Sequence, residues 1–216
     1  MYALDVVFAP IIWLMQLVLA FYVHLFASTG VAIILLSFTF ALILLPLQIK
    51  AQRTEQRISE KMKAVDFEIR ALKEELKGEK LFFATEKIYE RNGYHPIQSV
   101  AMGTSLFVML PILLSALLLF TNTEIITDKS FLFVDDLSKP DGFWGPVNVL
   151  PILMSGVSLV TAKLRFKGDK KSMVRFFIVS IVLMIIVYDL ASGLILYWIG
   201  SNTISLLVSL HKFHRL

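Results

Sequence analysis

The sequence predicts an all-α polytopic membrane protein: a five-span helical bundle with an N-terminal interfacial helix and a cytoplasmic helical hairpin. Three observations predict it. The 216 residues are 56% hydrophobic and include 17 Phe, with a mean hydropathy of +0.72, far more apolar than a soluble domain of this size. The apolar residues gather in runs close to the roughly 20 that a helix needs to cross a bilayer's hydrocarbon core. On the map those runs define, 19 of the 21 Lys and Arg face one side, the bias that marks cytoplasmic loops.

The N-terminal region, residues 1–28, carries the apolar run Leu4–Ala27, marked by Asp5, Pro10, Gln16 and His24, with Trp13 and Tyr22 as interface-seeking rings. Two readings compete: a sixth span, or an amphipathic helix lying in the outer interface. No Lys or Arg precedes Lys50, so nothing marks this end as cytoplasmic and the interfacial reading is preferred. The first core span is residues 29–50. Thr29–Leu47 has no charged residue, and Leu44-Leu45-Pro46-Leu47 is followed at once by Lys50, Arg53 and Arg57. This span therefore runs from the outer face into the cytoplasm.

Residues 51–93 change character. Ala51–Asn92 holds ten Lys or Arg and nine Asp or Glu, which places it in water. Ile58, Met62, Val65, Ile69, Leu72 and Leu76 are spaced 4, 3, 4, 3, 4, the seam of a helix packed on a partner. Lys77-Gly78 breaks it, a second helix covers about Glu79–Arg91, and Asn92-Gly93 supplies a stop. The predicted structure is a hairpin projecting into the cytoplasm. Its charges either solvate it or form a docking surface, for which Met62, Lys73, Leu76, Lys77 and Phe82 are the candidates.

Residues 94–216 supply four more spans. The second covers about Ile97–Phe120, opened by Pro96 and carrying Pro111 inside it. A loop at 121–146 follows, with five carboxylates and two lysines, acidity suited to the outer side. Phe143-Trp144 is an interfacial anchor for a third span near Val147–Ala162. The cytoplasmic loop at 163–172 begins a basic run of Lys163, Arg165, Lys167, Lys170, Lys171 and Arg175. The fourth span covers about Met173–Tyr188, Asp189–Gly193 turns, and Leu194–Leu210 is the fifth span, ending in a cytoplasmic tail with His211, Lys212, His214 and Arg215.

Several function classes are excluded or disfavoured. With no cysteine there is no disulfide framework, zinc cluster or thiol nucleophile. The four histidines lie at membrane edges or tails without a third ligand nearby, so no metal site is expected, and no hydrolase, phosphate-loop or zinc-protease motif occurs. The net charge of +4 belongs to loops beside spans and implies lipid headgroups, not a specific nucleic-acid site. Ion-coupled transport normally needs an ionisable group inside the membrane. Only Asp189 comes close, and it sits at the turn before the last span.

What remains is a supply of neutral hydrogen-bonding groups. Ser37 and Thr39 lie in the first span, Gln98, Thr104 and Ser105 in the second, Ser155, Ser158 and Thr161 in the third, and Ser201, Asn202, Thr203 and Ser205 in the fifth. Scattered Ser and Thr commonly join helices. The sharper reading is a polar groove open to the cytoplasm, through which a hydrophilic segment of another protein enters the bilayer at reduced desolvation cost.

Four motifs carry a resemblance. Leu44-Leu45-Pro46-Leu47 with Gln48-Ile49-Lys50 and the charged hairpin resembles the first core span and cytoplasmic hairpin of the YidC/Oxa/Alb membrane-insertase family. Asn92-Gly93-Tyr94-His95-Pro96 is similar to that family's Gly-x-Asn-Pro entry to the next span, and Leu110-Pro111-Ile112 to its mid-span proline. Ser192–Trp198 followed by Ser201-Asn202 resembles its last-span signature. The motifs cover about residues 8–210, in order. The resemblance implies an insertase, not an enzyme, that receives client membrane proteins in a lipid-thinned groove with the hairpin as receiver. It implies the bilayer as partner, the Sec translocon and the ribosome as further ones, no cofactor, and an inner-membrane location with a cytoplasmic C-terminus. The chain departs from the family at one telling position. The bacterial groove arginine, five residues before the span-ending proline, is Ala41 here. The same departure motivates the alternative of a structural subunit serving one dedicated membrane complex.

Overall fold

The computed structural model describes residues 2–95, 97, 104–122, 124–143, 145, 147–165 and 170–213. They form seven α-helices: α1 (Tyr2–Phe26), α2 (Thr29–Glu75), α3 (Gly78–Arg91), α4 (Thr104–Asn122), α5 (Val149–Arg165), α6 (Lys170–Val187) and α7 (Ser192–Phe213). Three of these, α1, α2 and α7, are long and apolar enough to cross a membrane, whereas α4, α5 and α6 carry shorter apolar stretches. The chain divides into two compact units, one of residues 1–43 and 111–216 and one of residues 44–110.

In the first unit the core is assembled from every helix. Met15 and Leu19 of α1, Ile33, Leu36 and Phe40 of α2, Leu119 and Phe120 of α4, Met154 of α5, Val187 of α6 and Ile195 and Tyr197 of α7 are all buried in one cluster. Lipid tails are as apolar as these side chains, so close packing and hydrogen bonds hold such a core together. The α1–α2 turn is tight: Ala27 adopts a left-handed φ of 51°, and the Val31 N–H donates to the Ser28 hydroxyl at 3.5 Å as an N-cap. With 25 residues, α1 measures about 37 Å, enough for either position considered for it. It packs on the core through one face and leaves Val6, Val7, Trp13 and Phe21 exposed.

The loop between α4 and α5 is ordered by backbone contacts and not by regular structure. A 3₁₀ turn at Glu124–Ile126 leads to a reverse turn pinned by reciprocal Phe131 and Val134 N–H to carbonyl bonds of 2.8 and 2.9 Å. Ile126, Val134 and Leu137 of this loop are buried in the bundle core. Its far side holds the start of α7: the Gly193 N–H donates to the Leu137 carbonyl at 2.9 Å, and the Ser192 N–H and hydroxyl both donate to the Lys139 carbonyl at 2.8 and 2.6 Å. The Lys139 ammonium lies 2.7 Å from the Asp136 carboxylate, and with Ser138 it holds that carboxyl well below the usual range. Asp141 accepts from the Val149 N–H at 2.7 Å and the Leu150 N–H at 2.6 Å, capping α5 from eight residues upstream where anions are favoured. Trp144, expected beside Phe143 as an anchor, lies outside the described residues.

The second unit contains the charged helices. Val65 and Ile69 of α2, Ile88 of α3 and Tyr94 are buried together, with Ile58, Met62, Leu72 and Tyr89 packed against them. Ile58, Met62, Val65, Ile69 and Leu72 are five of the six positions in the 4-3 spacing. Gly78 turns the chain at φ 61°, and Gly93 closes α3 at φ 53°. The Lys61 ammonium donates to the Gly93 carbonyl at 3.2 Å, and Arg91 pairs with Glu68.

One helix carries both the first apolar stretch and the charged seam, because α2 runs unbroken through Pro46 for 47 residues. An internal proline removes one hydrogen bond and strains the preceding turn. Ala, Gln, Arg, Glu and Lys dominate the residues just beyond it, and these strong helix formers keep the helix going. The division between the compact units falls at Ile43/Leu44, just before that proline.

Candidate functional site

The neutral polar groups read from sequence divide by helix. On α2, Ser37 is fully buried and its hydroxyl donates to the Ile34 carbonyl at 2.6 Å. Thr39 donates to the Leu35 carbonyl at 2.9 Å, so its single proton is used. Tyr22 of α1, 2.9 Å away, is therefore the donor to Thr39. Ala41 is only 5% exposed. On α5, Ser158 donates to the Met154 carbonyl at 3.0 Å and accepts from the Asn202 amide of α7 at 2.9 Å. Ser201 is buried, and its carbonyl accepts from Ser205 at 3.4 Å. Thr104 and Ser105 lie on α4, but their side chains, like all of Gln98, fall outside the described residues.

Two of these groups are joined directly, Ser158 with Asn202, and a third is placed by a close helix approach. A Cβ added to Gly200 would overlap the Ser37 hydroxyl, come within 3.0 Å of the Ser37 Cβ and 3.5 Å of the Phe38 ring. Gly200 therefore lets α7 lie against α2 beside Ser201, the role small residues play between membrane helices. Gly200→Leu is expected to lower stability by about 3 kcal/mol through overpacking, and Gly200→Ala by less. Thermal denaturation in detergent checks this. Adding Ser37→Ala to Gly200→Ala removes one of the two obstructions and should restore part of the loss.

The arrangement has a chemical bias. Ser37, Thr39, Ser158, Thr161, Thr203 and Ser205 each spend their proton on a carbonyl of their own helix. Their oxygens keep lone pairs, so this set of hydroxyls is neutral and rich in acceptors. Ser155 on α5 is buried, and its hydroxyl has no hydrogen-bond partner among the described residues.

Among the docking candidates, Lys73 and Lys77 are exposed, Leu76 is half-buried, and Phe82 is 65% exposed with its ring edge against Phe83. Met62 instead packs against the Val65–Ile88 cluster. Among the described residues no group of three His, Cys, Asp or Glu is placed to hold a metal.

Sequence reasoning missed a knot at Asn148. Its amide donates to the Tyr188 carbonyl at 2.9 Å and to Asp189 at 3.4 Å, its carbonyl accepts from the Gly142 N–H at 3.0 Å, and its own N–H donates to the Tyr188 hydroxyl at 3.0 Å. Asp189, weighed as a transport residue, is exposed at this turn. The one available signal was an Asn just before a helix, which is too common to single out.

Comparison with known proteins adds an independent line. The profile of a family described as 60Kd inner membrane protein matches residues 18–214. The chain is 30% identical to a membrane protein insertase YidC of Fusobacterium nucleatum, over 82% of each chain. It is 31% identical to a YidC of Clostridium tetani, over 83% of this chain and 79% of that one. It is 27% identical to the membrane protein insertase MisCA of Bacillus subtilis, over 80% and 66%. The crystal structure of an active YidC insertase with its first transmembrane domain resolved is similar in fold, with a TM-score of 0.61 at 23% identity. That likeness covers 94% of this chain, which spans less than half, 45%, of the crystallised one.

Proposed function

Because this chain belongs to the 60Kd inner membrane protein family, the YidC/Oxa/Alb insertases, we propose that it is a membrane protein insertase that receives client membrane proteins and aids their insertion and folding. The observation that carries the mechanism is the neutral, acceptor-rich set of hydroxyls on α2, α5 and α7 with a buried Ala41 among them in sequence. A polar client segment entering hydrocarbon costs several kcal/mol for each unsatisfied group. A groove lined by Ser37, Thr39, Ser158, Ser201 and Asn202 offers such a segment partners at membrane depth. With no cation at position 41, relief of desolvation, and not attraction of acidic tails, drives entry. The reading calls on no catalytic residue, metal or nucleotide.

The charged α2–α3 pair serves as cytoplasmic receiver, through the exposed Lys73, Lys77 and Phe82. The C-terminus is cytoplasmic in the same scheme, since the basic residues gather on that side. The Sec translocon and the ribosome are the partners proposed there.

Complementation of an insertase-depleted cell tests the proposal. The native chain is expected to restore insertion of small membrane proteins. Ala41→Arg should lower the amount of protein in the membrane, because a cation placed at this buried position costs about 3 kcal/mol. Rescue by Ala41→Arg alone would overturn the neutral mechanism. The Ala41 departure also favours a second reading, a dedicated subunit of one complex. A single stoichiometric partner on gentle purification would support that, and a mixture of nascent clients would support the insertase.

A further inference from the structure

The α4–α5 loop presents an apolar tip. Leu132 is 81% exposed, Phe133 37% and Phe143 46%, and the two rings meet edge to face with centroids 4.6 Å apart. The tip is rigidly presented, since Phe131 and Val134 on either side are bonded to each other and Val134 is buried. Leu132 also holds a left-handed φ of 54°. It is the first of the two residues between the bonded pair, a position where two-residue turns with positive φ take Gly, Asn or Asp. In water, any of those would be less strained and better solvated than leucine.

The place of the tip in the fold identifies what covers it. Phe131 lies so close over Gly30, in the first turn of α2, that a Cβ there would enter its ring. Leu137 and Lys139 bind the start of α7, and Asp141 caps the start of α5. The loop therefore sits on the end of the first unit where three apolar helices begin and where α1 finishes with Leu25 and Phe26 exposed. In a bilayer that end lies at the boundary between headgroups and hydrocarbon, the layer that aromatic side chains favour.

We propose that Leu132, Phe133 and Phe143 form a lipid anchor that inserts into the interfacial layer of the membrane and fixes the depth of this end of the bundle. The proposal requires residence in a bilayer but not insertase activity, so it stands or falls separately from the function above.

The chain has no cysteine, so single labels are placed without background. Full-length Leu132→Cys, Phe143→Cys and Asp135→Cys would each carry a bimane label and be reconstituted in phosphatidylcholine–phosphatidylglycerol vesicles. The lipids would carry bromine near the top of the acyl chains. Asp135 is exposed on the same loop and reports the water side. Labels at 132 and 143 are expected to lose at least about twofold more emission to bromine than the label at 135, as for groups seated at the headgroup–acyl boundary. Equal, water-like emission at all three sites would overturn the anchor. So would a blue-shifted, unquenched signal at 132 that grows with protein density, which would assign the tip to a second copy.

Discussion

Gly30→Ala is expected to detach the α4–α5 loop from the bundle. The added methyl would fall within the Phe131 ring and 2.5 Å from the Phe131 Cβ, so a rotamer change alone does not clear it. Phe131 cannot retreat without breaking its paired backbone bonds to Val134. Overpacking of this kind costs typically 1–3 kcal/mol and sometimes more, and the loss here should stand at about 3 kcal/mol. The variant should show a lower denaturation midpoint in detergent together with new protease cleavage within 124–143. Phe131→Ala, which removes the ring and leaves α2 unchanged, should be the milder variant. An unaltered midpoint and cleavage pattern in Gly30→Ala would refute the close approach.

Asn148→Leu is the second large effect and has a different origin. Leucine matches asparagine closely in shape but makes no hydrogen bonds. The Tyr188 carbonyl and the Gly142 N–H would lose their partner on this side chain, and leaving such part-buried groups unpaired costs at most about 1–3 kcal/mol each. A total loss of about 3 kcal/mol is expected, read as a fall in the denaturation midpoint. Hydrogen exchange should quicken at two places at once, the start of α5 and the α6–α7 turn. Asn148→Asp should also destabilise, because it keeps an acceptor for Gly142 but replaces the donor to Tyr188 and sets a carboxylate beside Asp189. A stability change within about 0.5 kcal/mol, the range of an ordinary surface substitution, would show that the knot carries no weight.

The helices were legible in the chain because each depends on short-range facts. Runs of Leu, Ile, Val and Phe without charge mark α2 and α7, and the 4-3 spacing from Ile58 to Leu72 marks the buried face of the charged pair. Gly78 and Gly93 could be read as breaks because positive φ favours glycine. Pro46 carries no such decision by itself. It disfavours helix on its own, and only the helix formers after it and the packing around it decide whether the helix survives.

The candidate site was legible in kind but not in arrangement. A sequence shows that Ser37, Ser158 and Asn202 are neutral and polar. It does not show that Ser158 and Asn202, 44 residues apart, share a hydrogen bond, or that Thr39 accepts a hydrogen bond from Tyr22.

By itself the sequence determined an all-helical membrane protein with a charged helix pair, since hydropathy and charge act residue by residue along the chain. Only the tertiary structure decided which hydroxyls keep free lone pairs, that Ala41 is enclosed, and that Gly30 and Gly200 are points of closest approach. It also turned an apparently irregular acidic loop into a folded cap with an apolar tip. Those outcomes depend on distances between residues remote in sequence, and such distances are fixed by packing, which no local pattern records.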